Sequence, residues 1–299
     1  MAVLSIQSHV VYGYAGNTSA VFPMQRMGRE VWAVNTVEFS NHTGYSAWRG
    51  KVLGAALASS LVRGLAERDV LDRCEAVLSG YLGDASLGNV IAKTVRQVRK
   101  KSKNALYCCD PVMGDTGKGL YVKPDIPGIF IKKLVPLADI VTPNHFELEV
   151  LTGICPDTIE NTCRAMDILH KMGPSVVLVT SYHEGAKADL ISTNSQISML
   201  VSDSSGKYKI DTPQLPLGTT VAGCGDLTAA VFLSRYLETR DSKRTLELCT
   251  ASIYGILERS FLENRNKELN AQQPMELLIV HAQEELINPS HVFTPVKIK

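Results

Sequence analysis

Short apolar runs alternate with longer amphipathic stretches along most of the chain. The runs at residues 3–6, 31–35, 76–80, 105–109, 140–142 and 176–180 predict buried strands. Between them, apolar positions with helical spacing predict helices over 16–27, 53–66 and 89–100. Strands that alternate with helices are typical of an α/β protein, so we expect a mostly parallel central sheet with helices on both faces.

Two regions interrupt this alternation. Closely spaced β-rich runs at 188–191, 197–201 and 208–211 predict antiparallel strands at one edge of the sheet. After Gly225 the pattern becomes almost entirely helical, with helices predicted near 227–237, 245–259 and 274–285. No internal repeat, low-complexity tract or flexible linker is present in the sequence. We therefore expect a single domain over residues 1–299.

Composition and charge exclude several classes of protein. The 31 Lys and Arg residues balance 30 Asp and Glu residues, which argues against nucleic-acid binding through bulk charge. No apolar run reaches the roughly 18 residues of a membrane span, and no basic residue precedes the first apolar run, as a signal peptide would require. The 7 cysteines include no CxxC pair and suit a reducing cytosol. We expect a cytoplasmic protein with no membrane partner.

Polar residues follow the predicted parallel strands at the point where each strand ends. In open α/β sheets, ligands bind beyond the carboxyl ends of the strands. If this edge of the sheet were part of the core, the residues there would be apolar. Polar residues at the edge therefore predict a ligand site. Its members are Ser8, Tyr81, Asp110, Thr142, Asn144, Thr180 and Ser181.

The strongest local motif is the stretch 222–230, AGCGDLTAA, which lies between a loop and a predicted helix. Gly223 and Gly225 would let successive backbone N–H groups converge on an anion at the positive end of the helix. Asp226 could accept a proton from an attacking hydroxyl. Simple helix capping is the alternative interpretation. The stretch is neither a dinucleotide fingerprint nor a Walker P-loop.

Two further motifs follow strands of the predicted sheet. Asp110 and Asp115 could hold Mg²⁺ or its water, and the glycine-rich stretch 116–119 could act as a flap. Asn144 and Glu147 share one face at a helix start, where an amide and a carboxylate suit hydrated magnesium. Each motif could instead be a turn or a helix cap. Together, the three motifs favour a nucleotide-dependent phosphotransferase.

The segments 5–17 and 39–45 leave the first two strands with hydroxyls, amides and aromatic rings. Such side chains suit a flat polar heterocycle better than a sugar, although ordinary structured loops remain an alternative.

Five stretches together resemble the pyridoxal kinases of the ribokinase-like superfamily: 6–13, 39–43, 79–83, 110–115 and 223–226. They run in the family's order over the chain from residue 6 to about residue 230. The resemblance implies a ribokinase-like fold and ATP-dependent phosphorylation of the 5′-hydroxymethyl group of pyridoxal, pyridoxamine or pyridoxine. Such a reaction gives pyridoxal 5′-phosphate in vitamin B6 salvage. The resemblance also implies a homodimer.

The resemblance assigns roles to individual positions. Substrate-binding positions are Ser8, Thr43, Tyr81, Tyr121 and Asp226, with Asp226 as the base and Gly223 and Gly225 as the anion cradle. ATP-binding positions are Asp110, Asn144, Glu147, Thr180, Ser181, Gly218, Thr219, Gly223, Cys224 and Gly225. Mg²⁺ would lie near Asp110, Asp115, Thr142 and Glu147, together with a monovalent cation such as K⁺. Many family members have Thr or Val at the position of Cys224, so a hydroxyl contact is lost here.

Two other functions remain open. A hydroxymethylpyrimidine kinase would share the superfamily and the chemistry, but such enzymes commonly carry Cys where this chain has Asp226. A catalytically silent vitamin B6 binding protein would keep the fold, but a pure binder needs no base.

Overall fold

The structure is a computed structural model that describes residues 1–184, 196–217, 221–264 and 274–298. Its strands are β1 (Ala2–Val10), β2 (Glu30–Phe39), β3 (Gly50–Val52), β4 (Cys74–Ser79), β5 (Leu106–Cys109), β6 (Gly114–Asp115), β7 (Gly119–Leu120), β8 (Ile140–Val141), β9 (Val176–Tyr182), β10 (Gln196–Asp203), β11 (Gly206–Pro213) and β12 (Val296–Lys297). Its α-helices are α1 (Asn17–Arg26), α2 (Ala55–Glu67), α3 (Ala85–Lys101), α4 (Ile126–Ile129), α5 (His145–Thr152), α6 (Ile159–Met172), α7 (Cys224–Thr239) and α8 (Ser242–Asn264).

Ten of these strands form one sheet in the order β12-β11-β10-β9-β8-β5-β4-β1-β2-β3. The six strands from β9 to β2 pair in parallel, while β10, β11 and β12 on one side and β3 on the other pair antiparallel. The predicted parallel sheet with antiparallel edge strands is therefore confirmed. Of the predicted edge strands, the run at 188–191 lies outside the described residues.

Helices cover both faces of the sheet. One core packs α2, α3, α5 and α6 against one face, and the other packs α1, α7 and α8 against the opposite face. Adjacent strand residues serve different cores, as shown by Cys109 in the first and Cys108 in the second. Such alternation follows from the two-residue period of a strand. Within the described ranges, no helix is long and apolar enough to cross a membrane.

Local sequence explains where several helices begin and end. The Asp84 side chain accepts the Ser86 N–H at the start of α3, and three basic residues close that helix. An acceptor at the first position and cations at the last turn satisfy the free backbone groups and the helix dipole. Helix α5 ends at Gly153, whose φ of 73° is the left-handed conformation that favours glycine.

The predicted helix over 274–285 is wrong. Met275 instead forms a parallel bridge to Val221, and turns lead to a short 3-10 helix at Gln283–Leu286. The buried residues Met275, Leu277, Ile279, Ala282 and Leu286 produced the helix-like pattern. These side chains reach the core although the backbone of the segment is irregular, so no helix is needed to bury them.

Candidate active site

A cavity of about 490 Å³ opens at the carboxyl ends of the parallel strands. It collects the predicted site residues that lie within the described ranges, which come from widely separated parts of the chain: Ser8, Thr43, Tyr81, Asp110, Asp115, Tyr121, Thr142, Asn144, Glu147, Thr180, Ser181, Gly223, Cys224, Gly225 and Asp226. Gly218 and Thr219 lie outside the described residues. The location of the fifteen described site residues in one cavity is what the carboxyl-edge rule predicts.

Asp110 follows β5 directly and is buried at 3% exposure. Its Oδ1 accepts a hydrogen bond from Thr142 Oγ1 at 3.0 Å, while Oδ2 is buried with no partner. Burial, followed by the nearby carboxylates of Glu147 and Asp226, raises the pKa of Asp110 well above its usual range. A buried carboxylate oxygen without a partner is costly unless a cation or proton neutralises it.

Asn144 and Glu147 form a capping box at the start of α5. Asn144 Oδ1 accepts the Glu147 N–H at 2.8 Å, and Glu147 Oε2 accepts the Asn144 N–H at 3.0 Å. Glu147 Oε1 also accepts the Met113 N–H at 2.9 Å, and Asn144 Nδ2 donates to the Gly114 carbonyl at 2.9 Å. The pair thus caps the helix and also fixes the 110–115 loop against it.

The pKa of Glu147 rises to about 8 because the side chain is buried, although the backbone N–H groups that it accepts act in the opposite direction. Both of its oxygens already accept backbone N–H groups. These bonds leave Glu147 better placed to contact a metal-bound water than to ligate a metal directly.

Helix α7 points its first turn at the cavity. Gly223 precedes it at φ 75°, and a Cβ there would collide with the Tyr14 carbonyl oxygen, so only glycine fits this turn. Ser19 Oγ donates to the Gly223 carbonyl at 2.7 Å and holds the turn in place. No side chain caps the helix start. A Cβ on Gly225 would meet nothing within 4 Å, so open space lies beside the first-turn amides.

Asp226 lies in the first turn of α7 and is partly buried. Its Oδ2 accepts the Gly16 N–H at 2.8 Å, while Oδ1 is a buried atom with no partner. Burial raises its pKa to about 6, and the hydrogen bond from Gly16 opposes that rise. A carboxylate held at one oxygen and unpartnered at the other is suited to accept a proton near neutral pH.

The stretch 116–119, predicted to be a flap, is the turn of the small β6–β7 hairpin. Asp115 Oδ1 accepts the Thr116 N–H at 2.8 Å, and the Tyr121 N–H bonds to the Met113 carbonyl at 3.0 Å. Burial raises the pKa of Asp115. Lys118, in the same turn, also lines the cavity.

The other end of the cavity combines apolar and polar groups. Val10, Val37 and Phe39 form a small buried cluster with Ala15 and Tyr81 packed against it, and all five line the cavity. The cavity is also lined by Ser8, which is buried, and by Thr43, which is exposed. An apolar wall with a few hydroxyls suits a small aromatic ring.

Sequence reasoning missed a carboxylate that joins two loops bordering the cavity. The carboxylate of Glu276 accepts hydrogen bonds from the Tyr14 N–H at 3.1 Å and the Tyr45 hydroxyl at 2.7 Å, and it pairs with His42 Nε2 at 3.0 Å. Glu276 lies in the segment wrongly predicted to be helical, more than 230 residues from each partner. No local pattern in the sequence carries such a contact.

The carboxylates of the cavity bear on the predicted magnesium site. The partnerless Oδ2 of Asp110 fits a cation or its water shell. Within the described residues, no group of three or more His, Cys, Asp or Glu side chains could enclose a metal ion. Mg²⁺ commonly takes only one or two carboxylates and completes its shell with water and substrate phosphates. The donor set therefore fits a metal that arrives with a nucleotide.

Comparisons with known proteins agree with this geometry. The family model described as phosphomethylpyrimidine kinase matches residues 54–269. The chain is 45% identical to pyridoxal kinase PdxY of Granulibacter bethesdensis over 98% of both chains. It is 47% identical to pyridoxal kinase PdxY of Rubrobacter xylanophilus over 96% of this chain and 94% of that protein.

Solved structures extend the likeness to the whole fold. The pyridoxal kinase of Leishmania donovani in complex with ADP and pyridoxine superimposes with a TM-score of 0.90 at 27% identity, covering 100% of this chain and 99% of that one. The fold and the cavity at its carboxyl edge define a ribokinase-like kinase of small molecules. Within that superfamily, the chain belongs to the pyridoxal kinase family.

Proposed function

We propose that the protein transfers the γ-phosphoryl group of ATP to the 5′-hydroxymethyl group of pyridoxal, pyridoxamine or pyridoxine. One observation carries the proposal. The half-partnered carboxylate of Asp226 lies in the open first turn of α7, in a cavity that also has an apolar wall with hydroxyls. The Leishmania donovani enzyme, which contains ADP with pyridoxine or pyridoxamine, supports the choice of substrates.

In the proposed reaction, the substrate hydroxyl attacks the γ-phosphorus while Asp226 takes the hydroxyl proton. A bond forms between the substrate oxygen and phosphorus, and the bond from phosphorus to the β–γ bridging oxygen breaks, releasing ADP. The backbone N–H groups between Gly223 and Gly225 would stabilise the charge on the transferring group. The Gly16 N–H keeps the base oriented.

We assign the divalent ion to the surroundings of Asp110. Thr142 would orient the Asp110 carboxylate, and Glu147 would contact a metal-bound water. When bound, Mg²⁺ would neutralise charge on the phosphate oxygens. The involvement of Asp115 and of a monovalent cation such as K⁺ stays a prediction. Turnover measured with K⁺ replaced by Na⁺ or by a bulky organic cation tests the involvement of the monovalent cation.

We also propose a homodimer of single-domain subunits. The edge strand β3 is exposed throughout, and the adjoining helix α2 presents Leu57 and Leu61 at 46% and 47% exposure. Trp48 and Val52 are further exposed apolar side chains just before α2 in the chain. Exposed apolar patches of this kind mark contact sites. The free thiols of all seven cysteines are in keeping with a cytoplasmic location.

Hydroxymethylpyrimidine phosphorylation is the second candidate, because the matching family model is named for that chemistry. The full-length relatives at 45% and 47% identity are pyridoxal kinases, which favours the first. A silent vitamin B6 binder is the third possibility, and the raised pKa of Asp226 argues for a working base instead.

The test is phosphorylation of pyridoxal, pyridoxamine, pyridoxine and hydroxymethylpyrimidine by the purified protein with MgATP and K⁺, with products identified by mass. We expect phosphorylated B6 vitamers. Phosphorylation of the pyrimidine alone would move the assignment to the second candidate. Pyridoxal binding without any turnover would make the protein a binder.

A further inference from the structure

Glu276 joins three segments that are far apart in the chain. Its carboxylate receives hydrogen bonds from the loop 12–16 and from the loop 41–45, while its own backbone belongs to the irregular segment after residue 274. Each of these segments borders the cavity, through Ala15, His42, Gly44 and Pro274. The carboxylate is mostly buried, at 16% exposure. A buried charge with three hydrogen bonds is a fixed junction rather than a surface contact.

We propose that Glu276 is a positioning residue that holds both loops in the arrangement that binds the B6 vitamer. The inference rests on the proposed function, since it names what the junction is for. Glu276 itself faces the two loops and acts on the substrate through them.

The hydrogen-bond directions support a single arrangement of the junction. Gly44 donates its N–H to His42 Nδ1 at 3.2 Å, so Nδ1 must be unprotonated and Nε2 must carry the hydrogen that points to Glu276 Oε1. The Tyr45 hydroxyl donates to the same oxygen, and the Tyr14 N–H donates to Oε2. Every partner of the carboxylate is therefore a donor, and an uncharged amide could not accept from all of them.

The backbone of the first loop is shaped around this carboxylate. Gly13 has a φ of 82°, and a Cβ at that position would collide with the carboxyl group of Glu276. The loop can approach Glu276 this closely only because residue 13 lacks a side chain. Three residues further on, the Gly16 N–H holds Asp226. The junction thus fixes one end of a short loop whose other end orients the proposed base.

The second loop carries the substrate side of the cavity. His42 is buried at 7% exposure, its ring lies 4.7 Å from that of Tyr45, and the next residue is Thr43. Burial works to raise the pKa of Glu276, but the hydrogen bonds from His42, Tyr45 and Tyr14 outweigh it, so that the pKa lies below its usual value. The carboxylate therefore stays charged at neutral pH and keeps both loops attached.

Loosening the junction should weaken the binding of pyridoxal and leave the binding of ATP unchanged. The contacts of Glu276 are with residues 13, 14, 42 and 45, on the vitamer side, whereas the proposed ATP cradle at Gly223 and the Asp110 site have no direct contact with it among the interactions of the described residues. If the loops must be ordered before the vitamer binds, the ordering cost appears in pyridoxal affinity.

The experiment compares Glu276→Gln and Glu276→Ala with Glu284→Gln. Glu284 is the matched control, because it lies in the same segment and pairs with Arg26 on the surface at 62% exposure. For each protein we would measure the KM for pyridoxal, the KM for ATP, kcat, the melting temperature and the affinity for pyridoxal by calorimetry without nucleotide.

We expect Glu276→Gln to raise the pyridoxal KM by roughly tenfold to a hundredfold, as follows from loss of charge-assisted hydrogen bonds. The ATP KM should stay close to that of the unmodified protein, and Glu284→Gln should change neither. Tyr45→Phe, which removes one donor, should have a smaller effect that is not additive with Glu276→Gln.

Two results would overturn the inference. One is an unchanged pyridoxal KM in a folded Glu276→Ala protein. The other is a parallel change of both KM values and of the melting temperature, which would mean a merely structural role. The proposed function is judged separately in the unmodified protein: pyridoxal binding without turnover would remove the kinase activity but leave the affinity comparison valid, whereas absence of binding would overturn both.

Discussion

Burial of Asp226 gives its carboxyl group a pKa suited to a base and also destabilises the folded protein at neutral pH. Replacing Asp226 by asparagine tests both effects. The substitution keeps the shape of the side chain and an oxygen that can still accept the Gly16 N–H, which now lies at 2.8 Å from Oδ2. It removes the charge and the ability to take a proton. Activity and stability should therefore change in opposite directions.

The activity change follows from the loss of the proposed base. Positioned acid–base groups contribute on the order of 10²–10⁴ to rate, so kcat should fall by about that factor. ATP affinity should remain close to normal, because the first-turn amides of α7 are unchanged. In the unmodified protein, kcat/KM should decline as the pH falls below about 6, where the carboxylate becomes protonated.

The stability change follows from linkage. The folded state raises the pKa of Asp226 to about 6, so it binds the proton more tightly than the unfolded chain does. Stability associated with this group is then fully present below the unfolded pKa and is lost as the pH rises through about 6. Each pKa unit corresponds to about 1.4 kcal/mol, so the ionised carboxylate costs the fold about 2–3 kcal/mol at pH 7. Asp226→Asn should recover that amount.

The assay is kcat at saturating substrates together with denaturant unfolding at pH 5 and pH 7.5, with Glu284→Gln as the charge-removal control. The stability gain of Asp226→Asn should be smaller at pH 5, where the folded carboxyl is largely protonated. Unchanged kcat would refute the assignment of the base. A variant that is no more stable at pH 7.5 would refute the claim that burial of the charge opposes folding.

Three further predictions concern the helix start and the exposed patch. Gly223→Ala should destabilise the protein by about 1–3 kcal/mol and abolish activity, since φ is 75° and the new Cβ would strike the Tyr14 carbonyl, whereas Gly225→Ala should leave the melting temperature unchanged. Cys224→Ser should leave kcat close to normal, because burial raises the pKa of the thiol to about 11 and so keeps it protonated; near-complete loss would indicate a thiol role. Leu61→Glu should convert the proposed dimer to monomers in sedimentation velocity, and an unchanged sedimentation coefficient would place any interface elsewhere.

Sequence reasoning located the cavity because its evidence was local. A buried apolar run followed at once by a polar residue marks a strand end, and parallel strands bring their ends to one edge. Asp110 after β5 and Asn144 after β8 were found in this way. Gly223 was found because the turn before α7 has a positive φ, which favours glycine and is therefore visible in the residue type.

Features that depend on distant contacts could not be found in this way. Strand β3 is only three residues long, which is too short to show an alternating pattern in the sequence. Its pairing with β2 is visible only in the structure. The segment after residue 274 carries apolar residues at helical spacing, but an irregular path satisfies the same burial. Glu276 looked like any surface glutamate, because its partners Tyr14 and His42 lie at the opposite end of the sequence. Only the fold brings them together.

The bond between Tyr14 and Glu276 joins residues 262 positions apart, and this separation has a consequence during synthesis. A ribosome that has made β1, β2 and their loops has produced both loops that Glu276 joins, but the carboxylate itself has not yet been translated. Contacts of such long range form late, because the intervening chain must be ordered first. The nascent protein should therefore be unable to retain pyridoxal until translation passes residue 276, and a nick just before that residue should release a vitamer already bound.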